Sequence, residues 1–221
     1  MEEIQGITIL ISKYKEKDAI LNVLTRNGFY EILGRSIFDF KSKNFIFSKK
    51  FINCKYEIYK GGVGGYKLKD GTFLKEYVNS NNYNSLIALD YIEEIINKTR
   101  DGIDSYSELY DLLENTLIDL NDKNIFEVLC YFTKKLTKLL GINLLVKETD
   151  SNKFYINIKE GVISKFKSDD SLEISERELN FFLNDEYITD FDAQKVLYYE
   201  SMLIMDKFNI KLNSLQLLFY Y

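Results

Sequence analysis

Over residues 1–79 apolar side chains tend to recur at every second position. Residues 4–14 set Ile7, Ile9 and Ile11 on one side and Thr8, Leu10 and Ser12 on the other, which predicts a strand. Residues 19–26 and 29–35 are short apolar-rich runs separated by Asn27-Gly28. Both residues of that pair tolerate positive φ, so a hairpin turning on them is predicted. Residues 51–60 form a further strand, with Cys54, Tyr56 and Ile58 opposite Lys55, Glu57 and Tyr59. Gly61-Gly62-Val63-Gly64-Gly65 then predicts a flexible hairpin tip leading into 66–69, and Asp70-Gly71 a second turn before 72–78. The glycines lack the lysine and Ser/Thr of a phosphate loop and open no helix. Five or six short antiparallel strands predict a small barrel, of which the OB-fold is the common nucleic-acid-binding form.

Asn79-Ser80-Asn81-Asn82 marks the predicted boundary between residues 1–79 and 80–221, and beyond it the period changes to 3.6. Residues 83–98 align Ile87, Tyr91 and Ile95, flanked by Ala88 and Ile92. Residues 105–120 align Tyr106, Leu109, Tyr110, Leu113, Leu117 and Leu120 behind a Ser105-x-x-Glu108 capping box. Residues 125–140 align Ile125, Leu129, Phe132, Leu136, Leu139 and Leu140, and Gly141 is a natural stop. Three such helices with short links predict a bundle. A small hairpin is predicted at 153–167 around Glu160-Gly161. A helix capped by Ser175-x-x-Glu178 follows, carrying Leu179, Phe182 and Leu183. A longer helix spans about 192–208, and an apolar tail ending LLFYY should dock on the bundle. The expected class is α+β: an N-terminal OB-fold barrel, then a helical domain with an inserted hairpin.

Charge sharpens this division. The chain carries 29 Lys+Arg and 34 Asp+Glu. Residues 1–80 hold 14 basic and 9 acidic side chains; residues 81–221 hold 15 and 25. A basic front on an acidic rear suits a polyanion-binding module mounted on a scaffold. Between 35 and 51, Arg35, Lys41, Lys43, Lys49 and Lys50 interleave with Phe38, Phe40, Phe45, Phe47 and Phe51. Cations neutralise phosphates and aromatic faces stack on unpaired bases, so the mixture suits single-stranded nucleic acid. The alternative is that the phenylalanines fold under the sheet and the lysines are merely solvated. Lys13, Lys15 and Lys17 would share one face of an extended segment.

Other chemistries find little footing. There is no histidine, and Cys54 and Cys130 lie far apart in apolar segments, reading as buried thiols. Asp101/Asp104 and Asp169/Asp170 suit turns, while Asp185/Glu186 and Asp190/Asp192 flank helix ends. Serines lack a nucleophile elbow. No catalysis, cofactor or metal is expected. The acidic start MEEIQG is unlike a signal peptide, and no apolar run is long enough to span a bilayer. The composition therefore predicts a cytoplasmic protein with no membrane partner.

The order of motifs resembles the RecO family of bacterial recombination mediators. The similarity runs through Gly6-Ile7, Tyr14-x-Glu16-Lys17-Asp18, Leu24-Thr25-Arg26-x-Gly28, Leu33-Gly34-Arg35, Lys41-Ser42-Lys43 and Tyr59-x-Gly61-Gly62. It continues in Leu139-Leu140-Gly141-Ile142 and Leu212-Asn213-Ser214-Leu215. The resemblance implies an OB-fold and a helical domain that bind single- and double-stranded DNA and anneal complementary strands. It also implies partnership with RecR and single-strand-binding protein in loading recombinase. By matched position it implies DNA contacts at Lys17, Arg26, Arg35, Lys41 and Lys43; charge alone adds Lys13, Lys15, Lys49, Lys50 and Lys60. Many RecO proteins carry a Cys₄ zinc element after the bundle, where this chain has a cysteine-free hairpin. Phe154, Ile156, Val162 and Phe166 are expected to pack it instead. Ser36 stands where the family has glycine, a substitution expected to restrict the backbone. The rival expectation is a protein–protein adaptor that keeps the fold with little DNA affinity.

Overall fold

The computed structural model describes residues 1–61, 65–77, 83–147, 153–184 and 192–219. The expectations that fall on residues 62–64, 78–82, 185, 186, 190 and 220–221 lie outside the described residues. The chain forms two compact units, residues 1–85 with 105–122 and residues 86–104 with 123–221.

In the first unit, strands β1 (Glu2–Lys13), β2 (Ala19–Thr25), β3 (Gly28–Gly34), β4 (Ile52–Lys60) and β5 (Tyr66–Glu76) close into a barrel ordered β1-β2-β3-β5-β4. This is the five-stranded OB-type closure. All pairs are antiparallel except β3–β5, where Ile32 meets Tyr66 in parallel, so the all-antiparallel expectation needs that one correction. Alternation puts Ala19, Leu21, Val23, Ile32, Cys54, Tyr56 and Ile58 inside. At the inner wall the Thr8 and Tyr56 hydroxyls bond at 2.6 Å, which satisfies two buried polar groups.

Three local readings change. The β2–β3 hairpin pairs Thr25 with Gly28, so its turn is Arg26-Asn27, one residue earlier than expected. The Thr25 hydroxyl organises it, accepting from the Asn27 amide at 3.1 Å and donating to the Gly28 carbonyl at 2.9 Å. Asp70-Gly71 is no turn: β5 runs straight through, with a register shift against β4 between Glu57 and Ile58. A glycine there lets the strand pass over Phe47, since a Cβ at position 71 would come within 2.8 Å of that ring and 2.6 Å of the Lys55 carbonyl. Lys13, Lys15 and Lys17 do not share an extended face, because the chain turns after Lys13 with the Tyr14 amide donating to the Asp18 carbonyl.

The connector from β3 to β4 plugs the barrel. It carries a short 3-10 helix, Lys43–Ser48, and its Phe47 joins the core. It is entered through Ser36 at φ +53 and left through Phe51 at φ +56. Its phenylalanines divide: Phe47 and Phe51 are buried, while Phe38, Phe40 and Phe45 face solvent.

Helix α1 (Tyr83–Thr99) buries Ile87, Ala88, Tyr91, Ile92 and Ile95. Helix α2 (Tyr106–Asp119), within the stretch read as helical domain, packs on β2 and groups with the barrel. The Asn53 side chain of β4 donates to the hydroxyls of Tyr77 and Tyr110, and Tyr77 in turn donates to Glu114 at 2.5 Å. Ser105 makes no side-chain cap bond, so the first expected capping box does not form.

In the second unit α1 accompanies α3 (Ile125–Leu139), α4 (Glu176–Leu183), α5 (Ala193–Phe208) and α6 (Asn213–Phe219). Tyr91 links three helices by bonding Thr133 and Ser201 at 3.0 and 2.8 Å. Gly141, at φ +68, ends α3 in a Schellman motif, with the Ile142 amide on the Thr137 carbonyl and the Gly141 amide on Lys138. The Ser175/Glu178 capping box is complete. Phe181 is the deeply buried aromatic of α4, whereas Leu183 is exposed. Helix α6 docks through Leu215 and Leu218, with Leu212 buried just before it and Leu217 and Phe219 exposed.

The expected hairpin is the centre of a larger sheet. β7 (Phe154–Asn157) pairs with β8 (Val162–Ser164), and β6 (Leu145–Lys147) and β9 (Ser171–Ile174) flank them in the order β6-β8-β7-β9. Phe154, Ile156, Ile158, Ile163 and Ile174 pack on Leu179, Tyr199 and Leu203. Phe166, expected in that packing, is instead 63% exposed. No described helix is long and apolar enough to cross a membrane.

Candidate nucleic-acid interface

All ten candidate cations are exposed, and cross-strand register says which of them meet. Lys13 pairs with Ala19, and Ala19 with Gly34, so the 14–18 turn and the start of the β3–β4 connector stand at one rim. That brings Lys13, Lys15, Lys17, Arg35 and Lys41 together. Lys60 approaches along the neighbouring strands, through Tyr66 to Ile32. Arg26 lies at the far end of the β2–β3 hairpin, roughly 20 Å away at the usual strand rise. Lys43 and Lys49 run down the side of β5, and Lys50 follows the 3-10 helix.

Partners separate them further. Lys43 reaches Asp70 at 2.7 Å and Lys49 reaches Glu76 at 2.9 Å, which straps the connector to β5. The Lys43 hydrogen bond pulls the Asp70 carboxyl below its ordinary range. Arg26 bonds Asp111 of α2 at 2.5 Å and lies over the Tyr110 ring at 4.7 Å. It holds the barrel's own helix rather than reaching outward. Lys17 bonds Asp39 at 2.8 Å. Lys13, Lys15, Arg35, Lys41 and Lys60 make no ion pair among the described residues.

The rim also carries aromatic surface. Tyr14 is 53% exposed, Phe38 38% and Phe40 75%. The Lys15 ammonium lies 5.5 Å from the Tyr14 ring centre, and Lys41 lies 5.6 Å from that of Phe40. Tyr30 and Tyr66 pack together across β3 and β5 with ring centres 5.2 Å apart. Exposed rings beside ammonium groups offer stacking platforms and phosphate contacts in one place. Part of the outer β2–β3 surface is already occupied, since Phe29 meets Tyr106 of α2 edge to face at 5.8 Å. In OB-folds that strand face and the adjoining loops take the ligand, so what remains here is its rim end.

Reading the residues in one dimension missed Tyr14 and Asp39 as parts of this rim. For Asp39 the signal was its place two residues before Lys41: its Oδ1 accepts from the Lys41 amide at 3.1 Å. Hydrogen bonds from the Lys17 side chain and the Lys41 amide hold the Asp39 carboxyl below its ordinary range.

No family model and no curated protein matches the chain. Among solved structures, an asparaginyl-tRNA synthetase of Entamoeba histolytica aligns over 70% of this chain with 7% identity and a TM-score of 0.30. The alignment covers 37% of the synthetase, and a likeness this slight carries no argument about either protein's role.

Proposed function

We propose that the chain is a non-catalytic DNA-binding protein of the RecO type. In this reading it anneals complementary strands and, with RecR and single-strand-binding protein, helps recombinase onto DNA. The motif resemblance supplies the biological role. The observation that carries the binding is the grouping of Lys13, Lys15, Arg35 and Lys41 around exposed Tyr14, Phe38 and Phe40 at one rim of an OB-type barrel. Phosphates would be neutralised by the ammonium and guanidinium groups while unpaired bases lie on the rings.

Titration of a labelled single-stranded oligonucleotide at several salt concentrations tests this. Affinity should fall with salt at a log–log slope of about −0.7 per phosphate neutralised, and removing rim lysines should flatten it. A slope indifferent to those lysines would remove the rim from the interface.

A second reading, an adaptor with little DNA affinity, draws on a specific observation. Among the candidate cations, Lys17, Arg26, Lys43 and Lys49 already hold carboxylates. Gel shifts at low and moderate salt separate the two, because the adaptor gives no shift at either.

A further inference from the structure

The 14–18 turn and the β3–β4 connector are stitched together at three points. The Asp18 carboxylate accepts from the Ser36 amide at 2.9 Å, the Lys17 carbonyl accepts from the Phe38 amide at 3.0 Å, and the Lys17 ammonium bonds Asp39 at 2.8 Å. The two oxygens of Asp39 are divided between jobs: Oδ2 takes Lys17, and Oδ1 takes the amide of Lys41. The Asp39 amide turns back to the Ser36 carbonyl at 3.2 Å, and the Ser42 amide donates to the Asp39 carbonyl at 2.8 Å. The left-handed Ser36 allows this tight fold-back.

We infer that Lys17 and Asp39 are positioning residues of the rim rather than phosphate contacts. Their ion pair ties the turn bearing Tyr14 and Lys15 to the loop bearing Phe38, Phe40 and Lys41, so cations and rings stand ready before a strand arrives. This rests on the nucleic-acid reading above and reassigns Lys17 within it. An interface already in its bound shape loses less freedom on binding, and that difference appears as affinity. Were Lys17 a phosphate contact, Asp39 would be a competitor for it, and removing the carboxylate would help binding. The two roles therefore predict opposite signs for one substitution.

Single-strand affinity and its salt slope are measured for the unsubstituted protein and for Lys17→Met, Asp39→Asn, Lys17→Arg and the Lys17→Met/Asp39→Asn pair. Thermal melts report folding in parallel. Positioning predicts that Lys17→Met and Asp39→Asn each weaken binding about 3- to 10-fold, although one removes a positive charge and the other a negative one. The salt slope stays unchanged, Lys17→Arg restores affinity, and the double variant is no worse than either single, because both break one interaction. Tighter binding by Asp39→Asn, with a slope steeper by about 0.7, would overturn the inference and return Lys17 to the phosphate contacts. Unchanged affinity in both single variants would overturn it as well. Failure of the nucleic-acid reading looks different: the unsubstituted protein itself would not bind, or would bind with a slope that Lys15→Ala and Lys41→Ala leave alone.

Discussion

The two units treat charge in opposite ways. On the barrel each strap joins one exposed cation to one exposed carboxylate, as in Lys43–Asp70 and Lys49–Glu76, and apart from Lys17 the rim cations make no ion pair among the described residues. In the helical unit, beside exposed pairs such as Lys159–Asp170, several carboxylates are sunk into networks. Glu94 accepts from Lys98, from the Ser214 hydroxyl and from the amides of Ser214 and Asn213. Glu178 is 3% exposed and takes both its own cap amide and Lys195. Glu200 is buried as deeply, with one oxygen unpartnered among the described residues. Burial lifts its carboxyl well above the ordinary range despite Lys134 and Lys138 nearby. Exposed charges exchange partners easily and answer to salt, whereas sunken ones answer to protons. The barrel should therefore be the salt-sensitive half of the molecule and the helical unit the pH-sensitive half.

The largest expected effect tests the first half of that statement. Replacing Lys13, Lys15 and Lys41 together with alanine should weaken single-strand binding on the order of 100-fold at low salt, with a slope shallower by about 2. The melting temperature should hold, because none of the three makes an ion pair among the described residues.

The second half turns on Glu94. Burial works to raise its carboxyl, but the four donors outweigh burial and bring it down to about 2. A depressed carboxyl contributes its stability above the unfolded-state value near 4.5 and loses it as pH falls toward about 2. Glu94→Gln should cost on the order of 2 kcal/mol at neutral pH and much less in acid, read from denaturant melts across that range. Since two of the donors are the first amides of α6, exchange of the amides around α6 should quicken first.

A smaller effect is expected at Ser36. Its left-handed backbone penalises any side chain, so Ser36→Gly should stabilise the barrel by about 0.5–1 kcal/mol, net of the entropy glycine adds to the unfolded chain. Smallest of all, Lys43→Ala and Lys49→Ala should leave both the salt slope and DNA affinity where they were. Loss of slope in either would show that the β5 straps open to phosphate, erasing the contrast between rim and flank.

How far the chain could be read beforehand depends on the range of each interaction. Period-two runs such as Cys54, Tyr56 and Ile58 announced the barrel because alternation is local, and the Ser175/Glu178 box was legible for the same reason. Asp70-Gly71 misled because a bulge inside a long strand draws on the residues a turn would use. Ser105-x-x-Glu108 matched a capping pattern whose side-chain bond does not form. β6 and β9, at three and four residues, went unseen, being too short for a period to emerge and lacking a turn signal such as the Glu160-Gly161 that marked the equally short β7 and β8. The helical stripe of α2 was plain, but nothing in its spacing says whether the stripe faces a bundle or a barrel. The pairing of cations was least legible: Lys17–Asp39, Lys43–Asp70 and Arg26–Asp111 join residues 22, 27 and 85 apart.

The split of the barrel unit across the sequence governs how the protein can be made and cut. A nascent chain leaving the ribosome has all five strands once Glu76 emerges, yet it must wait until Asp122 for the helix that covers Phe29 and ties down Arg26. During that interval the outer sheet is bare. A clone ending at the asparagine-rich junction would keep it bare for good, so one ending after Asp122 is the shortest piece that carries the whole barrel unit.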